Sequence, residues 1–216
     1  MSKSTTPSKT TPSPVHRHDS LREKAAKRRR DQNMILIGAA AVFVLLIGFV
    51  IWQNVRSQQP VSGETSLTSQ GNIHIEFPAT SMLEYNSMPP SSGPHYGNLA
   101  AWQVFTAPQR YEFLVHNLED GGVVIYYQCP AGCPELVTQL EELTKPYMQA
   151  GKHVLVAPND PTWTDGGNKP LHKDMGAKIA ITAWTKILKM DEFDGPRLKE
   201  FIDRYEGKDH HNGVNG

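Results

Sequence analysis

Nineteen consecutive uncharged residues, MILIGAAAVFVLLIGFVIW from Met34 to Trp52, divide the chain into two unequal parts. At roughly 1.5 Å of rise per residue, a helix of this length nearly crosses a hydrocarbon core of about 30 Å. A buried core helix of that length would carry polar residues at helical period. A cleavable leader would have a shorter apolar stretch followed by an A-x-A-like site, which QNVRSQQP does not offer. The run therefore predicts a transmembrane helix. Beyond it the apolar positions fall into short runs: YEFLVH (111–116), GVVIYY (122–127), HVLVA (153–157) and KIAITAW (178–184), with TKILKM (185–190) as a further candidate. Bounded by Gly, Pro, Asn and Asp, they read as strands. Two segments change to helical period. In the first, Pro134 to Lys145, Pro suits the opening position and Leu136, Leu140 and Leu143 form a stripe. The second runs from Pro196 to Tyr205, with Asp194 near its cap and Leu198, Phe201, Ile202 and Tyr205 on one face. The order strand, strand, helix, strand, strand, strand, helix predicts an α/β fold. It is a mixed sheet with covering helices, because a strand-helix-strand unit needs a crossover.

Composition and charge assign surroundings to these parts. The chain has 216 residues, 38% hydrophobic and 20% charged, with 22 basic against 22 acidic side chains. That length suits about one folded domain with extensions and excludes a large multidomain enzyme. The zero net charge is a sum of unlike halves. Residues 1–33 hold nine Lys/Arg against three Asp/Glu, which leaves thirteen basic and nineteen acidic residues downstream. KRRR precedes the apolar run and only Arg56 follows closely, so the positive-inside rule keeps the N-terminus in the cytoplasm and exports the C-terminal part. The expected organisation is a disordered basic cytoplasmic tail over 1–33, rich in Ser, Thr and Pro, then the membrane helix over 34–52. A polar linker over 53–71, an exported globular domain over 72–205 and a flexible tail over 206–216 follow. The membrane is the expected partner; nucleic acid is not. The His210–His211 pair is a conceivable metal ligand, but on a tail without rigid partners it reads as tail.

Three separated segments, YNSMPPSSGPHYG (85–97), VHNLEDGGVVIYY (115–127) and ITAWTKILKMDEFDGPRLKEFIDRY (181–205), resemble the bacterial domain-of-unknown-function family numbered 3105. The resemblance implies a membrane-anchored domain with a His in the first segment, here His95, and a His opening the second, here His116. Where the family usually carries His after the Glu, this chain has Asp120. The family name carries no established activity.

The two cysteines, Cys129 and Cys133, sit in YYQCPAGCPELVTQL between a predicted strand and the start of a predicted helix. Outside the cytoplasm such a pair commonly forms a structural disulfide. Two thiols at a helix N-terminus also meet backbone dipoles that favour thiolate, the form that exchanges disulfides or binds soft metals. The loop is similar to that of thioredoxin-like copper carriers that help assemble cytochrome oxidase. That similarity implies a thioredoxin-like form of the α/β fold and a distal His, a place that His172 would take. Thiolate with imidazole suits copper or zinc, whereas calcium or magnesium want clustered oxygens. The expected metal ligands are Cys129, Cys133, His95 and His116, with Met88 as a thioether candidate. Glu119 and Asp120 are accounted for by the D-G-G turn. Trp102, Trp163 and Trp184 read as core or rim. No nucleophile elbow, phosphate loop or His-Glu-x-x-His is present. Two functions follow. One is copper binding or thiol-disulfide redox in the service of a membrane redox complex. The other is a non-catalytic interaction module clipped by a Cys129–Cys133 disulfide. A Cys-His hydrolase is disfavoured by the neighbouring second Cys.

Overall fold

The computed structural model describes residues 14–81 and 83–211 and separates into two compact units, Met1–Gln59 and Pro60–Gly216. The first is one helix, α1 (Pro14–Gln58), whose stretch Arg22–Gln53 is long and apolar enough to cross a membrane. α1 begins ahead of the apolar run, so residues 14–33 are helical where a disordered tail is expected. Ala, Lys, Arg and Glu dominate there, and these good helix formers extend a helix already nucleated by its apolar neighbour. Residues 1–13 lie outside the described residues.

The second unit is built on a five-stranded mixed sheet in the order β1-β7-β6-β4-β5. Its strands are β1 (Glu64–Ser66), β4 (Val123–Tyr127), β5 (Val154–Pro158), β6 (Ile179–Ala183) and β7 (Lys186–Met190). β4 and β5 are parallel, joined by the crossover helix α3 (Pro134–Gln149); the other pairings are antiparallel. A separate two-stranded parallel pair consists of β2 (His74–Ile75) and β3 (His95–Tyr96). Helix α4 (Gly195–Tyr205) closes the fold, its first turn capped by Asp194, whose side chain accepts from the Arg197 amide at 3.1 Å.

Strand alternation sends residues to two cores. Val123, Ile125, Val154, Val156, Ile179 and Ile181 face α3 and α4, where Leu136, Leu140, Leu198, Phe201 and Ile202 meet them. Val124, Tyr126, Leu155, Ala157 and Ala180 face the opposite way, onto Tyr111, Leu114, Val115 and Leu118. Those last four lie on α2 (Tyr111–Glu119), which corrects the strand expected over 111–116. The run alternates passably, but Tyr111, Leu114, Val115 and Leu118 also repeat at three and four residues. Burial of that stripe against one sheet face selects the helix.

The ends of the domain also differ from expectation. Val61 is buried and β1 pairs with the β7 edge, so the fold begins inside the segment read as linker. At the other end, the Gly207 amide donates to Gly121 O and the His210 amide to Glu119 O, both at 2.8 Å. Residues 207–211 are thereby laid along the turn after α2. Both attachments are main-chain ladders, which leave no side-chain periodicity to read.

Candidate metal centre

The short strands β2 and β3 exist to hold two rings. In their parallel register His74 stands opposite His95, and the ring centroids are 4.9 Å apart. The path into β3 depends on Gly93, whose φ of 122° disfavours any side chain, and a Cβ there would lie 3.0 Å from the Tyr85 ring. Helix α2 supplies the second wall. His116 and Glu119 are three residues apart and Asp120 is four beyond His116, so all three project from one helix face. The D-G-G turn then lets two segments close in. Gly121, at φ 77°, has the Lys208 backbone where a Cβ would stand, at 2.7 Å, and Gly122 packs beneath Trp102 and Asn117 O.

Four potential ligand atoms, from His74, His95, His116 and Glu119, all lie within 4.8 Å of one another. The rings form a triangle, His95 to His116 at 5.2 Å and His74 to His116 at 5.3 Å. Glu119, 1% exposed at its side chain, stands at the middle. Its Oε1 accepts from Asn72 Nδ2 at 2.8 Å, while Oε2 lies 2.9 Å from His95 Nε2 and 3.6 Å from His74 Nε2. A second group, His116, Asp120 and His211, adjoins the first through the shared ring.

Proton placement at His95 decides the chemistry. Its Nδ1 is 2.8 Å from Gly93 O, and a carbonyl oxygen only accepts, so Nδ1 carries the proton. A neutral ring then turns its Nε2 lone pair toward the Glu119 carboxylate at 2.9 Å. Two acceptors facing each other at hydrogen-bond distance in a fully buried site call for a positive charge between them, a proton or a metal ion. Burial pushes the His95 pKa down, against partial support from Gly93 O and Glu119. Burial also opposes ionisation of Glu119, but the Asn72 hydrogen bond with His95 and His211 outweighs it and holds this carboxyl below its ordinary value. Taken one at a time, His95 is shifted toward the neutral ring by burial and Glu119 toward the carboxylate by its hydrogen bonds and neighbouring histidines. Those are the protonation states of a metal-binding set, in which a backbone carbonyl orients the ligating ring.

Of the residues singled out from the sequence, His95 and His116 meet in this cluster. Cys129 and Cys133 are placed elsewhere: they are joined to each other in a disulfide, with Cα atoms 5.8 Å apart and Cys133 at the N-cap of α3. They follow the C-terminal end of β4, whereas α2 and the D-G-G turn precede its N-terminal end. A five-residue strand keeps those ends roughly 15 Å apart, and in the bonded form neither sulfur offers a thiolate. His172 stacks on Tyr111 at 4.3 Å between ring centroids. Its Nδ1 accepts from the Asp160 amide at 3.1 Å and its Nε2 donates to Gln109 O at 2.8 Å, so both nitrogens hold the fold. Met88 packs on the α2-side core. Trp184 presents an edge to His95, Trp102 stacks on His153, and Trp163 leans on His172.

Sequence reasoning passed over His74 as a ligand, assigned Glu119 and Asp120 to turn chemistry and left His211 in a tail. The signal that finds two of them is the spacing H-x-x-E-D in VHNLED, which carries meaning once 111–119 is a helix.

Fold and site together define a mixed α/β domain with a buried His/Glu cluster, preceded by one helix that is long and apolar enough to span a membrane. The chain belongs to the family described as Protein of unknown function (DUF3105), whose model matches residues 76–215 and so takes in His95, His116, Glu119, Asp120 and His211. No curated protein and no solved structure matches the chain.

Proposed function

We propose that this protein is a membrane-anchored, extracytoplasmic metal-binding domain whose inner site, His74, His95, His116 and Glu119, takes copper(II) or zinc. The observation that carries the reading is the convergence of four potential ligand atoms, from His74, His95, His116 and Glu119, within 4.8 Å of one another, with His95 and Glu119 buried. Three imidazoles and a carboxylate are borderline donors suited to these ions, and the Irving–Williams order places copper(II) above zinc in affinity. Half-exposed His74 leaves the site one open side, through which an ion or an exogenous ligand reaches it. In the full chain purified in mild detergent and dialysed against ZnSO4 or CuSO4, tightly retained metal is expected, and His95→Ala should retain less of it through loss of the inner site. Absence of retained metal, or equal retention in the variant, would remove this function.

Export is the second part of the reading, supported by KRRR ahead of the apolar run. The Cys129–Cys133 disulfide agrees with an oxidising compartment. A reporter fused after Gly216 is expected to be active only outside the cytoplasm, and cytoplasmic activity would reverse the topology. Service to a membrane redox complex fits an anchored copper site. The β4-α3-β5-β6-β7-α4 order, with strands arranged β7-β6-β4-β5 and the disulfide at the first strand-helix junction, is compatible with a thioredoxin-like core. The competing function is an interaction module in which that disulfide is a structural clip. The bonded state of the cysteines favours it over a cysteine-ligated metal, but it leaves the His/Glu cluster without a purpose.

A further inference from the structure

We infer that the protein holds two cations side by side, the second bound by His116, Asp120 and His211 and sharing the His116 ring with the first. The inference rests on the inner site proposed above. His116 belongs to both ligand groups, and its two nitrogens have different surroundings. Nε2 lies 3.6 Å from Asp120 Oδ1, which in turn lies 3.3 Å from His211 Nε2, so these three atoms surround the outer position. Nδ1 is buried and has no hydrogen-bond partner, which is unusual for a polar atom in a protein interior. In the two-ion arrangement it is the nitrogen that would ligate the inner ion. A ring ligated through both nitrogens is an imidazolate, its N–H proton passing to water as the second ion binds.

The outer group is prepared for a cation independently of this sharing. Asp209 Oδ1 accepts from His211 Nδ1 at 2.8 Å, which fixes the tautomer that points the Nε2 lone pair at Asp120 and Glu119. The same carboxylate oxygen accepts from the His211 amide at 2.8 Å, and the preceding residue is tied to Glu119 O through its own amide. The C-terminal segment is therefore held over α2 with its imidazole aimed. Asp120 adds a second negative charge to that of Glu119, so two divalent ions are better balanced than either carboxylate alone would allow. His211 is 41% exposed at its side chain and His116 only 10%, which puts the outer position at the mouth.

Zinc titration of the detergent-solubilised full chain separates the possibilities. Two equivalents are expected for the wild type, and one each for His211→Ala and Asp120→Asn, both changed at or near the surface where folding is not at stake. One equivalent in the wild type overturns the second position and leaves the inner site standing; none removes the inner site itself. Two equivalents in either variant overturn the outer ligand set. Loaded with two equivalents of copper(II), the wild type should show spin-coupled electron paramagnetic resonance, and His211→Ala an isolated type of signal. Uncoupled spectra from a doubly loaded wild type overturn the sharing of His116.

Discussion

Glu119→Gln is expected to lower zinc or copper(II) affinity at the inner site by at least about a hundredfold, since even loss of a supporting partner behind a ligand costs about 10–100-fold. It should do so without unfolding the domain. Glutamine keeps the volume, its carbonyl can accept from Asn72 Nδ2 as Oε1 does, and its amide can donate to the His95 Nε2 lone pair that now faces Oε2. The substitution therefore supplies by hydrogen bonding what a cation would supply by charge, and it removes a buried carboxylate whose desolvation is costly. The metal-free variant should melt at or above the temperature of the metal-free wild type, while metal-induced stabilisation disappears. Unaltered affinity would show that Glu119 is not a ligand. A variant that cannot fold even metal-free would show that its charge is structural.

Leu140→Ala, on the far side of the sheet, should cost about 2–5 kcal/mol, the range for removing buried methyl groups from a core that relaxes only in part. Leu140 is completely buried and packs with Leu136, Val123 and Phe201 in the cluster between the sheet and its two covering helices. Chemical denaturation reads the effect, and a loss under about half a kcal/mol would mean that α3 does not pack as described. Metal stoichiometry should remain unchanged under native conditions, because the imidazole cluster lies with α2 on the opposite face. The pair of variants thus separates stability from binding: one removes the metal and keeps the fold, the other weakens the fold and keeps the metal.

The contrast between these two sites mirrors how each is written in the chain. Leu140 sits in a sixteen-residue helix whose apolar stripe repeats several times and whose start carries a proline, so its burial is legible from local periodicity. Glu119 ends a nine-residue helix that resembles a strand until something packs on it. Read as strand, positions 116 and 119 point to opposite faces, and a ligand pair vanishes into a turn. Read as helix, they share a face. That one misassigned element hid the pairing of His116 with Glu119.

The long apolar helix, the four core strands β4 to β7, the helices α3 and α4 and the mixed α/β class follow from residues near one another in the chain. Local spacing specifies them, and burial merely agrees. The His/Glu cluster is different in kind. His74 and His95 become neighbours through a two-residue parallel pairing. His116 and Glu119 reach them from a helix whose existence depends on the sheet beneath it, and His211 arrives from the C-terminal segment by main-chain hydrogen bonds to Glu119 and Gly121. None of these approaches has a period, and main-chain pairing places no demand on side-chain type. The two cysteines and the histidines both looked like soft donors in sequence, but a strand's length separates the ends of β4 to which they belong, and only the folded chain could measure that distance.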